Sequence, residues 1–289
     1  MRLNPFNPGD IRVEDQRGGG GFPGGGGGQL GCGAIVIALI GAVVFGVDPG
    51  QMLGTMEQIQ GGQPGARAPA AGTSAEESCA VNAYSKESCS ALASLNQTWQ
   101  PAFQQAGVQF QQPKLVFYSQ QGRSGCGAAE SAMGPFYCPA DQGIYLDTTF
   151  FDQMSQQLGA EGDFARVYVI AHEYGHHIQQ LTGVSDAVRQ QQQANPRQAN
   201  QWQVRMELQA DCYAGAWAGK NRNLIDAGDF EEGMTAASSI GDDTLMRNAG
   251  QRVNPESFTH GTSAQRMEAL RLGLESADDK QCDGIVPLG

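Results

Sequence analysis

Only four histidines occur in 289 residues, and three of them fall within six positions of one apolar stretch, Val169-Ile170-Ala171-His172-Glu173-Tyr174-Gly175-His176-His177-Ile178. Phe164, Val167, Tyr168 and Ala171 recur at helical spacing, and Gly183 supplies a stop after Leu181 and Thr182, so one helix is predicted through the motif. Residues four apart lie one above another on a helix. His172 and His176 can therefore offer two imidazoles to a single metal ion, with Glu173 projecting beside them. A carboxylate there can take a proton from water at the ion, the general-base role of an H-E-x-x-H motif. His177 is rotated about 100° from His176, so it is expected to support the site from behind or to face solvent.

Two histidines leave a catalytic metal short of one protein ligand, because such sites take three and keep a position open. Arg205-Met206-Glu207-Leu208-Gln209-Ala210-Asp211 places two acids four apart on another predicted helix. Alone they would be ordinary surface acids. A two-histidine helix in need of a carboxylate makes Glu207 the candidate third ligand, with Asp211 orienting a ligand histidine through its other ring nitrogen. The small residues that follow, from Ala214 to Gly219, would let this helix pack closely on the first. Further on, Thr262-Ser263-Ala264-Gln265 fits a capping box opening a helix through Met267, Leu270 and Leu274. His260 then lies just before a helix start, where it could hydrogen-bond an oxyanion, and Arg266 could brace the acids or add charge. A loop histidine and a surface arginine are the alternative.

The three segments in order, His172-Glu173-Tyr174-Gly175-His176-His177, Glu207-x-x-x-Asp211 and His260-Gly261-Thr262-Ser263-Ala264-Gln265-Arg266, resemble the bacterial putative neutral zinc metallopeptidase family of the Glu-zincin group. The resemblance runs from about residue 75 to the carboxyl end, and the glycine-rich start and apolar anchor also look like that family's. It implies a zincin-like catalytic domain, one Zn2+ held by His172, His176 and Glu207, and a peptide or protein substrate.

Leu30 to Val47 is eighteen residues without a charge, long enough for a short single transmembrane helix. About thirty residues precede it, too many for a usual signal peptide. Arg2, Arg12 and Arg17 lie before it and no Lys or Arg follows until Arg67, which predicts a cytoplasmic amino terminus and an extracytoplasmic domain. Apart from Cys32, six cysteines remain, and an even number in an exported domain suggests disulfides. Fifteen connectivities are open; short spacing favours Cys79 with Cys89 and Cys126 with Cys138, leaving Cys212 with Cys282.

The expected organisation is a glycine-rich disordered tail over 1–29, a transmembrane helix over 30–47, a flexible linker over 48–74 and one catalytic domain over 75–289. The domain is expected to be α+β and mainly helical. It should open with a helix from Cys79 to Gln105 broken at Pro101, followed by strands at Lys114–Tyr118, Phe136–Cys138 and Gly143–Asp147. In a zincin such strands form a small sheet over the active helix, and Tyr137 to Leu146 is expected to supply the edge that pairs with substrate. The net charge of −12 and pI near 4.7 exclude a nucleic-acid partner, which needs a basic surface. Besides a membrane-anchored peptidase, two readings stay open: a tethered binding module with a structural metal, and a zinc amidase acting on cell-wall peptides.

Overall fold

A computed structural model describes residues 1–18 and 73–288. The expected membrane span over 30–47 and the linker up to residue 72 lie outside the described residues. Among those described, no helix is long and apolar enough to cross a membrane. The elements in chain order are β1 (Arg12–Asp15), α1 (Ala75–Ala80), α2 (Ala83–Ala106), β2 (Lys114–Phe117), β3 (Gln121–Ser124), β4 (Gly127–Glu130), β5 (Phe136–Cys138) and β6 (Gly143–Leu146). Helices follow: α3 (Thr149–Leu158), α4 (Asp163–Leu181), α5 (Val184–Ala194), α6 (Ala199–Lys220), α7 (Asp229–Ser239), α8 (Asp242–Asn248), α9 (Ser263–Ser276) and α10 (Lys280–Asp283). The fold is mainly helical with a small sheet, α+β as expected.

Strand order in the sheet is β1-β2-β6-β5, with β1, β2 and β6 parallel and β5 antiparallel at one edge. Alternation along the strands sorts the side chains into two faces. Val13, Leu115, Phe117, Ile144, Leu146 and Tyr137 join the main core against the helices. Val116, Tyr118, Tyr145, Cys138 and Phe136 form a second small core with Ala129 of the β3–β4 hairpin. The expected edge is therefore β5 alone, since β6 is hydrogen-bonded on both sides.

Two expectations need correcting. The first is the disordered tail. Within residues 1–18, β1 pairs in register with β2, Ile11 is buried in the main core, and Arg17 donates to the Ser78 carbonyl (2.6 Å) and the Ser85 hydroxyl (2.7 Å). Strands that share hydrogen bonds lie on the same side of any membrane, so residues 1–18 cannot be a tail opposite the domain. The short Ile11–Val13 alternation beside the glycine run is the signal of β1. The second is Pro101, which does not end its helix. The break falls at Asn82, whose side chain caps α2, and α2 runs through Pro101 with Trp99 and Phe103 buried on either side.

Helix α4 is buried on nearly every face and forms the centre of the molecule. It crosses α6 where Gly175 meets Ala210; a Cβ at 175 would stand 2.7 Å from the Ala210 Cα, so only glycine allows that approach. The small residues after Asp211 chiefly serve a different neighbour. Gly215 and Gly273 let α6 and α9 press backbone to backbone, each leaving no room for a Cβ. Disulfides Cys79–Cys89, Cys126–Cys138 and Cys212–Cys282 tie α1 to α2, the hairpin turn to β5, and α6 to α10, the pairing favoured by short spacing. The Thr262–Gln265 capping box opens α9.

Candidate metal centre

Helices α4 and α6 bring His172, His176 and Glu207 together, with one potential ligand atom from each lying within 4.8 Å of the others. His172 Nε2 is 3.2 Å from one Glu207 oxygen and His176 Nε2 is 3.6 Å from the other. Tetrahedral bonds of about 2.1 Å to zinc imply ligand atoms about 3.4 Å apart, so the spacing fits that ion. The donor set, two imidazoles and a carboxylate, is also one zinc accepts.

Each ring is fixed through its other nitrogen. His172 Nδ1 donates to Asp211 Oδ1 at 2.7 Å. His176 Nδ1 donates to Gln179 Oε1 at 2.9 Å, while the Gln179 amide nitrogen donates to the Met206 carbonyl and to Gln209 Oε1. That pair of acceptors sets which end of the Gln179 amide faces the ring. With Nδ1 engaged, Nε2 is the nitrogen each ring would offer to an ion. Gln209 donates in turn to the carbonyl of Cys282, linking the His176 side to the partner of Cys212.

Asp211 is fully buried and heavily engaged. Arg266 grips it with Nε at 2.8 Å and a terminal nitrogen at 2.9 Å, and Tyr168 donates to Oδ1 at 2.5 Å. Burial alone would raise the Asp211 carboxyl, but Arg266 and His172 outweigh it and hold the group at about 2. Burial would likewise lower His172, yet Asp211 and Glu207 lift the metal-free ring to about 10. Glu207 is buried too, and the two histidines keep it ionised, well below the usual carboxylate range. Charge then closes locally: Asp211 cancels Arg266, leaving Glu207 and Glu173 to neutralise a dication.

Glu173 differs from the other acids. It is buried beside the rings, its carboxylate takes no hydrogen bond among the described residues, and burial pushes its pKa up. A carboxylate lifted toward neutrality is suited to accept a proton. His260 lies before α9, as expected from the capping box, with Nδ1 2.9 Å from Asp242. Asp242 is fully buried and its other oxygen accepts the backbone N–H groups of Thr259, His260 and Gly261. The ring is thereby fixed.

His177 is neither a ligand nor solvent-facing: it is wholly buried. Its Nε2 donates to the Gln111 carbonyl at 2.7 Å and its Nδ1 accepts from the Tyr137 hydroxyl at 3.0 Å. Burial lowers it to about 4. The hydrogen-bonding roles of Tyr168, Gln179, Asp242 and Tyr137 were not part of the sequence reading. The first two were within reach of it, since Tyr168 stands four residues before His172 and Gln179 three after His176 on one helix.

The chain is 51% identical over 195 residues to the uncharacterized protein YpfJ of Escherichia coli K12, covering 66% of this chain and 68% of YpfJ. It is 35% identical over 263 residues, 84% of each chain, to the uncharacterized proteins Mb2605 of Mycobacterium bovis and Rv2575 of Mycobacterium tuberculosis. No solved structure matches it. The sequence profile described as putative neutral zinc metallopeptidase matches residues 6–285, which takes in β1 as well as all three site segments. With a match across nearly its whole length, the chain belongs to the putative neutral zinc metallopeptidase family.

Proposed function

We propose that the protein is a zinc-dependent peptidase that hydrolyses peptide bonds, with Glu173 as general base. The observation that carries this reading is the ligand spacing of His172, His176 and Glu207 beside a buried carboxylate that takes no hydrogen bond among the described residues. A zinc ion held by those three residues would polarise the scissile carbonyl and make a water at the ion more acidic. Glu173 would accept the proton of the attacking water as its oxygen bonds to the carbonyl carbon, and would pass that proton to the amine as the carbon–nitrogen bond breaks. His260, held by Asp242, presents its other ring nitrogen to the oxygen on which charge develops. Asp211, Arg266 and Tyr168 keep His172 in the ligating tautomer throughout.

The substrate of this reading is an extended peptide that adds a strand to the outer edge of β5, the antiparallel strand next to α4, an edge unpaired among the described residues. Three disulfides favour an oxidising compartment, with residues 1–18 and 73–288 on its side of any membrane. A single crossing by residues 30–47 would put those two segments on opposite sides, so this reading keeps the oxidising compartment and not the single-pass anchor.

The test uses the full chain, because β1 belongs to the domain. Zinc-loaded protein, chelated protein and Glu173→Gln are each incubated with a mixed peptide library. The expected result is zinc-dependent cleavage, with Glu173→Gln retaining zinc but losing about 10²–10⁴-fold in kcat. Zinc-bound protein that cleaves nothing, with both forms alike, contradicts a peptidase and leaves the binding module. Cleavage confined to cell-wall peptides would point to the amidase.

A further inference from the structure

Edge strand β5 has little of its own to hold it. It is three residues long and, among the described residues, pairs only with β6, yet a substrate strand laid along it would have to meet the metal centre at a fixed height. What sets that height is visible in its side chains. Phe136 and Cys138 point away from the helices: Phe136 stacks on Tyr145, ring centroids 5.0 Å apart and 7° from parallel, and Cys138 is bonded to Cys126. Tyr137 points the other way, toward α4, and its hydroxyl donates to His177.

His177 follows directly after His176, and its ring is saturated: Nδ1 takes the Tyr137 hydroxyl, Nε2 gives its proton to the Gln111 carbonyl, and the rings of Tyr137 and Tyr174 pack edge-on against it at 5.5 and 5.6 Å. Gln111 lies in the segment leading into β2. One buried imidazole therefore ties three things together: the metal-bearing helix, the strand at the edge, and the entry to the sheet's centre.

We propose that Tyr137 and His177 are positioning residues that hold β5, the strand along which the proposed function lays its substrate, in register with the metal centre. This rests on the peptidase reading. Neither residue touches zinc or the reacting bond, so their removal should change how well a long substrate binds more than how fast it reacts.

The test compares Tyr137→Phe, His177→Ala and His177→Gln in the full chain. Probes are end-capped decapeptides and tripeptides, the latter too short to pair along β5. Tyr137→Phe loses one hydrogen bond and keeps the ring, so KM for decapeptides should rise about three- to tenfold with kcat within about twofold. His177→Ala should raise KM further. His177→Gln can accept from Tyr137 and donate to Gln111, and should restore most of the loss. Tripeptide cleavage and zinc affinity should be unchanged in Tyr137→Phe.

Binding without turnover separates this idea from the peptidase reading. In zinc-loaded Glu173→Gln, the decapeptide should slow amide exchange at residues 136–138, and do so less when Tyr137→Phe is added. Cleavage by the wild type with a decapeptide KM indifferent to Tyr137→Phe overturns the positioning role alone. Protection of 136–138 without any cleavage overturns the peptidase and supports the pairing. Neither cleavage nor protection overturns both.

Discussion

The surroundings of the two ligand histidines, one turn apart on α4, are built from different chemistry. Behind His172 stands a buried ionic group, Asp211 gripped by Arg266 and touched by Tyr168. Behind His176 stands a neutral amide chain, Gln179 to Gln209 to the Cys282 carbonyl. Both fix the same tautomer, but only the first adds charge. A carboxylate makes its imidazole more basic, a better ligand and also a stronger competitor for protons, whereas an amide orients its ring without that change. The ionic side also carries the larger risk, because a buried charge that loses its partner is costly.

Arg266→Ala tests that risk and should have the largest effect. It leaves Asp211 buried and unpaired, so unfolding by denaturant should show a loss of about 3–5 kcal/mol. Gln179→Leu, which leaves no charge stranded, should cost less than half as much by the same measurement. Equal losses would erase the distinction between the two sides.

Zinc affinity gives the next contrast. Asp211→Asn keeps an acceptor for His172 Nδ1 but removes its charge, and competition with a chelator should show zinc binding weaker by about 10–100-fold. Gln179→Leu should fall at the lower end of that range. The pH dependence sharpens the comparison. The metal-free His172 ring is raised to about 10, so at neutral pH it is protonated and zinc must displace that proton. Affinity should accordingly rise with pH up to about 10 and fall about tenfold per unit below it for each proton displaced. Asp211→Asn lowers the ring's pKa, so its affinity should flatten at lower pH; an unchanged profile would mean that Asp211 does not set it.

Much of this centre could be read from spacing, because its residues lie on three helices and helical geometry is local. His172, Glu173 and His176 share one face, Glu207 and Asp211 share another, and Arg266 follows a capping box that forms as written. What could not be read joins distant segments. Asp242 reaches His260 across 18 residues, and Tyr137 reaches His177 across 40. Neither pair has a period or a turn signal to announce it. The sheet was half legible for a similar reason: Leu115, Ile144 and their neighbours alternate clearly, while β1 is a four-residue strand paired with a partner about a hundred residues away. The small-residue run after Asp211 was visible, but its main partner was not, since Gly215 says only that something comes close. Gly273 supplies the matching surface on α9.

The position of the ion is the most direct test. Acids gather elsewhere as well: Asp163, Asp229 and Glu232 also lie within coordinating distance of one another, with the Met1 amino group against Asp163 and Asp229. Crystals of the zinc-loaded full chain, measured at the zinc absorption edge, should show one anomalous peak about 2.0–2.2 Å from His172 Nε2, His176 Nε2 and a Glu207 oxygen. A peak at the Asp163 cluster with none between α4 and α6 would contradict the assignment of the metal centre.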